Sequence, residues 1–176
     1  MTPTAPIFYC CQTDGPKGQP IEIAWAFVAP DALGVVSEVH LIRPPAAWAP
    51  EIKSGAACAL SRGITLADLR AFGTTPLKIA TRMNRVLKHR ELFSVHPTDE
   101  AALKRIFEVA RIEPAFQLGK TDPEVLVDEL AQLRSVTNRA VDRANRKVEL
   151  LSPLDARPEV KARHLAILWA EIAGPT

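Results

Sequence analysis

Ile7-Phe8-Tyr9-Cys10-Cys11-Gln12-Thr13-Asp14-Gly15, followed by Pro20-Ile21-Glu22-Ile23-Ala24-Trp25-Ala26-Phe27-Val28, is the stretch on which the fold turns. It reads as a strand over 7–12, a turn built from Asp14-Gly15-Pro16-Lys17-Gly18, and a second strand over 21–28. The second strand is apolar nearly throughout, the pattern of a strand buried on both faces. Pro30-Asp31-Ala32-Leu33-Gly34 makes the next turn, and Val35 to Ile42 reads as a third strand, stopped by Arg43-Pro44-Pro45. Short connections between the three predict an antiparallel meander.

Composition sets the outer limits. With 176 residues, 47% hydrophobic and 24% charged, the chain has enough apolar material for one ordinary folded domain, expected over 1–176. No apolar run approaches the roughly 20 residues that cross a bilayer, so no membrane partner is expected. The first residues carry no basic region and no long apolar run, so a signal peptide is not expected. Cys10, Cys11 and Cys58 are an odd number, two of them adjacent, which argues against a disulfide framework and for a reducing, cytoplasmic compartment. A formal net charge of +2 neither requires nor excludes a nucleic-acid partner, because phosphate contacts depend on local clustering of charge.

Beyond the meander the pattern turns helical. A short helix is expected over Pro50–Ser61, with Gly63 at its C-terminal cap. Thr65 reads as the N-cap of a helix over 66–72 that Gly73 stops. The next helix starts near Pro76 and carries Ile79, Ala80, Met83, Val86 and Leu87 at helical spacing. A short strand over 91–95 follows, then a helix capped by Thr98 with Leu103, Ile106, Phe107 and Ala110. A strand over 115–118 leads to a helix opened by Asp122-Pro123-Glu124. Further helices are expected over about 138–151 and about 156–173, the last with Val160, Leu165, Leu168, Trp169 and Ile172 on one stripe. Three antiparallel strands, then two further strands separated by helices, make an α/β protein with a mixed sheet, and the order matches the ribonuclease H-like fold.

Four segments resemble the DEDD-type (DEDDh) 3′–5′ exonucleases. The first is the opening stretch, with Thr13-Asp14-Gly15 and Ile21-Glu22-Ile23. The second is Leu41-Ile42-Arg43-Pro44-Pro45 with Trp48, followed by Arg62-Gly63-Ile64-Thr65. The third is Phe93-Ser94-Val95-His96-Pro97-Thr98-Asp99 with Leu103. The fourth is Asn138-Arg139-Ala140-Val141-Asp142-Arg143-Ala144. In that superfamily an Asp and a Glu on the first strand, an Asp of the second acidic motif and a closing Asp bind two divalent metals, and a His acts as general base. The resemblance implies that their counterparts here are Cys10, Gln12, Asp99 (or Glu100), Arg143 and Asn138. Only Asp99 keeps its type.

Two-metal hydrolysis needs hard anionic oxygens. Gln12 supplies a neutral carbonyl, Cys10 a soft sulfur, Arg143 a positive charge, and Asn138 no titratable nitrogen. The resemblance therefore implies a pseudo-exonuclease with no cofactor and no metal ligand beyond Asp99, whose partner is single-stranded nucleic acid, a protein or a second copy of itself. Mg or Mn is implied only for the alternative of an active 3′–5′ exonuclease with an atypical site. A structural or interaction module without nucleic-acid contact is the second alternative. Arg139, Arg143 and Arg146 are the candidate nucleic-acid contacts, with Arg82, Arg85, Lys88, His89 and Arg90 a second basic cluster. For each, the plainer reading is also open. Cys10 and Cys11 suit small buried apolar positions, Asp99 an acidic first helical turn, and the basic clusters solvated helix faces.

Overall fold

The computed structural model describes residues 5–15, 18–29, 34–48, 64–151 and 157–173. The expected helix over Pro50–Ser61, with Cys58 and Gly63, lies outside them. Eleven elements are seen among the described residues: β1 (Ile7–Thr13), β2 (Pro20–Val28), β3 (Val35–Leu41), α1 (Leu66–Phe72), α2 (Pro76–Val86), β4 (Glu91–Ser94), α3 (Asp99–Ala110), β5 (Gln117–Leu118), α4 (Pro123–Leu133), α5 (Asn138–Leu151) and α6 (Pro158–Ala173). They form the α/β arrangement expected, a five-stranded mixed sheet in the order β3-β2-β1-β4-β5. β1, β2 and β3 pair antiparallel, while β4 runs parallel to β1 and β5 parallel to β4.

Side chains alternate across β1, so each sheet face receives a separate apolar layer. Ile7 and Tyr9, with Ile23 and Trp25 of β2, pack against Ile79 and Met83 of α2 and Ile106 and Phe107 of α3. Phe8 and Ala26 face the other way, against Val127 and Leu130 of α4, Val148 of α5, and Ala162, Ala166 and Trp169 of α6. Being covered on both sides, β2 buries all but its last residue.

Local chemistry sets the helix boundaries. The Thr65 hydroxyl accepts from the Asp68 N–H, and the Asp68 carboxylate accepts from the Thr65 N–H, a reciprocal cap at the start of α1. The Asp122 carboxylate accepts from the Glu124 N–H, with Pro123 in the first turn of α4. Three expectations change. Thr98 holds the N-cap position of α3, but its hydroxyl makes no cap bond to the helix and lies 2.9 Å from His96 Nδ1 instead. β5 is confined to Gln117–Leu118, because only these two residues pair with β4. In α6, Leu168, Trp169 and Ile172 are buried as expected, but Val160 and Leu165 are half-buried, and Ala162 and Ala166 hold the innermost positions. The reason is opposite them: β2 presents Ala24 and Ala26, and small residues on both sides let helix and sheet approach closely.

Part of the second basic cluster is committed to the fold. Arg82 donates two hydrogen bonds to Glu38, at 3.0 and 2.6 Å, tying α2 to the edge strand β3. Arg90 donates to the Ala5 carbonyl and lies over the Phe27 ring. Among the described residues, no helix is long and apolar enough to cross a membrane.

Candidate functional site

Cys10 and Gln12 are two residues apart on β1 and project to the same face. Their antiparallel partners across the ladder are Ala24 and Glu22. Directly opposed residues share a face, so Cys10, Gln12, Ala24 and Glu22 form one patch on the side that α6 covers. Cys10 and Glu22 are buried and Gln12 is half-buried.

Asp99 closes the patch from the edge of β1. It is fully buried, at 0% exposure, whereas Glu100 beside it is exposed. Of the two candidate acids, Asp99 is therefore the one against the strand. Its Oδ1 accepts the Cys11 N–H at 3.0 Å and its Oδ2 accepts the His96 N–H at 2.8 Å. One carboxylate thus holds β1, the segment after β4 and the first turn of α3 together. Burial raises its pKa above the ordinary carboxylate value, against the opposing pull of the two backbone N–H groups, His96 and Lys161. Burial, then the charge of Asp99, pushes the Cys10 thiol up to about 12, so it is protonated at neutral pH. Burial raises the Cys11 thiol as well.

A cation that acts on this patch is Lys161, in the first turn of α6. Its charge favours the ionised forms of both Cys10 and Asp99. Arg139, Arg143 and Arg146 are instead exposed on α5, which packs against α6. Asn138 opens that same helix. A location for Arg143 in the space next to Cys10 and Gln12 is accordingly corrected: the helix laid on β1 and β2 is α6, not α5. Lys161 escaped the sequence reading because α6 has a weak apolar stripe, while α5 has the stronger alternation of basic and apolar residues. The available signal was the small pair Ala162 and Ala166, which marks a helix lying directly on a sheet.

The donor set of the patch is one buried carboxylate with both oxygens bonded to backbone, a second buried acid at Glu22, a neutral amide, a protonated thiol and an ammonium. Among the described residues, no group of three or more His, Cys, Asp or Glu side chains is arranged to hold a metal ion.

No family model matches the chain, and no curated protein is significantly similar to it. Solved structures are. E. coli Exonuclease I in complex with a dA16 oligonucleotide superposes with a TM-score of 0.59 at 14% identity, over 96% of this chain and 40% of that one. The same enzyme with a dT13 oligonucleotide gives 0.55 at 14% identity, over 94% and 39%. An ExoI/SSB-Ct complex gives 0.58 at 14% identity, over 96% and 40%. This chain thus spans about 40% of the length of the proteins it superposes on. The likeness establishes the fold: α/β and ribonuclease H-like, with the 3-2-1-4-5 sheet as in Exonuclease I.

Proposed function

We propose that this chain is a pseudo-exonuclease, which keeps an Exonuclease I-like frame and binds single-stranded nucleic acid without hydrolysing it. The observation that carries the reading is Lys161, whose positive charge bears on Cys10 and Asp99 in the patch where the resemblance implies metal ligands. A two-metal centre does not fit these residues. Dications need several hard anionic oxygens. Here Asp99 already accepts two backbone N–H groups, Cys10 is protonated, Gln12 is neutral, and an ammonium repels the ions. An ammonium attracts a phosphodiester by charge and hydrogen bonding, yet it neither activates a water molecule nor stabilises a leaving oxygen as a Lewis acid. Binding without cleavage is the consequence.

The Exonuclease I structures include dA16 and dT13 complexes, so single-stranded DNA is the first ligand to try. Fluorescence anisotropy with a labelled dT13 strand is expected to give the same affinity in EDTA as in MnCl2, with no shortening of the strand on a gel. The logarithm of the affinity should fall with the logarithm of the salt concentration by about 0.7 per phosphate neutralised. Lys161→Glu should weaken binding at least fivefold. Metal-dependent shortening that Asp99→Ala abolishes would overturn the proposal. So would the absence of binding to any single-stranded DNA or RNA at low salt, which would leave an interaction module.

A further inference from the structure

A cavity of about 490 Å³ lies among α4, α5, α6 and the segment that follows β4. His96 and Val95, on its wall, follow β4, and Asp122 follows β5. Because β1, β4 and β5 run parallel, the cavity opens outside the carboxyl ends of β4 and β5, where open α/β sheets receive small ligands. Its volume is that of a small-molecule site, about 300–1,000 Å³. None of Cys10, Gln12 and Asp99 lines it.

The chemistry of the walls is divided. Val127 of α4, Val141 of α5, and Leu165 and Leu168 of α6 supply apolar lining from three helices. Lys161 and His96 stand at the sheet end, since both act on Asp99. Lys161 stands in the first turn of α6, which begins only three residues earlier. The α4 wall carries Asp122, Glu124 and Asp128, and Asn145 adds an amide from α5.

We infer that this cavity is a binding site for a nucleoside monophosphate, with the single phosphate on Lys161 and His96 and the flat ring between the valine and leucine walls. Each half of the cavity excludes a simpler ligand. Inorganic phosphate would leave the apolar walls without a partner, and an uncharged ring would desolvate Lys161 for nothing. The Asp122, Glu124 and Asp128 carboxylates accept hydrogen bonds from hydroxyl or amino groups but repel further phosphates, so a triphosphate is disfavoured. The nearby cation serves both this site and the strand-binding patch, but the inference needs no bound strand.

Isothermal titration of the full chain with AMP, dTMP, ATP, adenosine and inorganic phosphate tests it. AMP or dTMP is expected to bind at least tenfold more tightly than ATP, adenosine or phosphate. Leu165→Trp and Val141→Trp, both at half-buried positions, fill the cavity and should abolish that binding while circular dichroism and dT13 anisotropy stay unchanged. Two substitutions on different helices guard against one that disturbs folding. No monophosphate binding by the unmodified chain overturns the inference, as does ATP binding as tightly as AMP, or AMP binding that survives both substitutions. Monophosphate binding without any dT13 binding would uphold this site and sink the strand-binding proposal alone.

Discussion

At the scale of single residues, Asp99 is a structural clamp. Replacing it by Asn keeps the shape but swaps one accepting oxygen for an amino group that faces a backbone N–H. The buried amide left unpaired should cost about 1–3 kcal/mol in urea unfolding. The pH dependence has an unusual sign for an aspartate. Its folded pKa is raised by burial, so the folded state holds the proton more tightly than the unfolded chain does. The contribution is fully present below the unfolded value of about 3.9 and is lost as pH rises through the folded pKa. The stability advantage of the native chain over Asp99→Asn should therefore be larger at pH 3 than at pH 7. An advantage that grows toward neutral pH would contradict the burial of this carboxylate. Sequence alone exposed the unusual residues Cys10 and Gln12, because ligand chemistry is a property of residue type. It did not reveal Lys161, because which helix lies over a strand depends on packing between segments some 150 residues apart.

At the scale of elements, α6 and β3 are the most informative. α6 reaches the sheet through Ala162 and Ala166, facing a strand with Ala24 and Ala26. Ala162→Leu would insert a larger side chain into this closely packed seam, at a cost of about 1–3 kcal/mol in a urea titration. It should also weaken dT13 binding, since Lys161 adjoins the displaced residue. β3 is the sheet edge, held to α2 by the Glu38–Arg82 pair at 2.6 Å. Arg82 depresses the Glu38 pKa, so this link contributes stability above the unfolded carboxylate value and loses it as pH falls through the folded one. Arg82→Ala should lower the thermal midpoint at pH 7, and the difference from the native chain should vanish in acid. The strands and most helices were legible from the chain itself: continuous apolar runs gave the buried strands, and Thr65, Asp122 and Pro123 gave helix starts. The failure at Thr98 is physical. In that turn its hydroxyl meets the His96 ring instead of a backbone N–H of the helix.

At the scale of the molecule, contacts join segments far apart in the chain. The Asp99 carboxylate bonds a backbone group 88 residues earlier, and Ser37 donates to Glu159 across 122 residues. Removing residues 157–176 should uncover Phe8, Ala26 and Phe93 together, giving a chain that binds a hydrophobic dye and aggregates on dilution from urea. The same placement of α6 bears on how the protein is made. Trp169 is synthesised 161 residues after Phe8, and at roughly 5–20 residues per second that delay is on the order of ten to thirty seconds. Throughout it the ribosome carries a nascent sheet whose second face lacks the part of its cover that α6 supplies, so chaperone occupancy on the growing chain should persist until α6 leaves the exit tunnel.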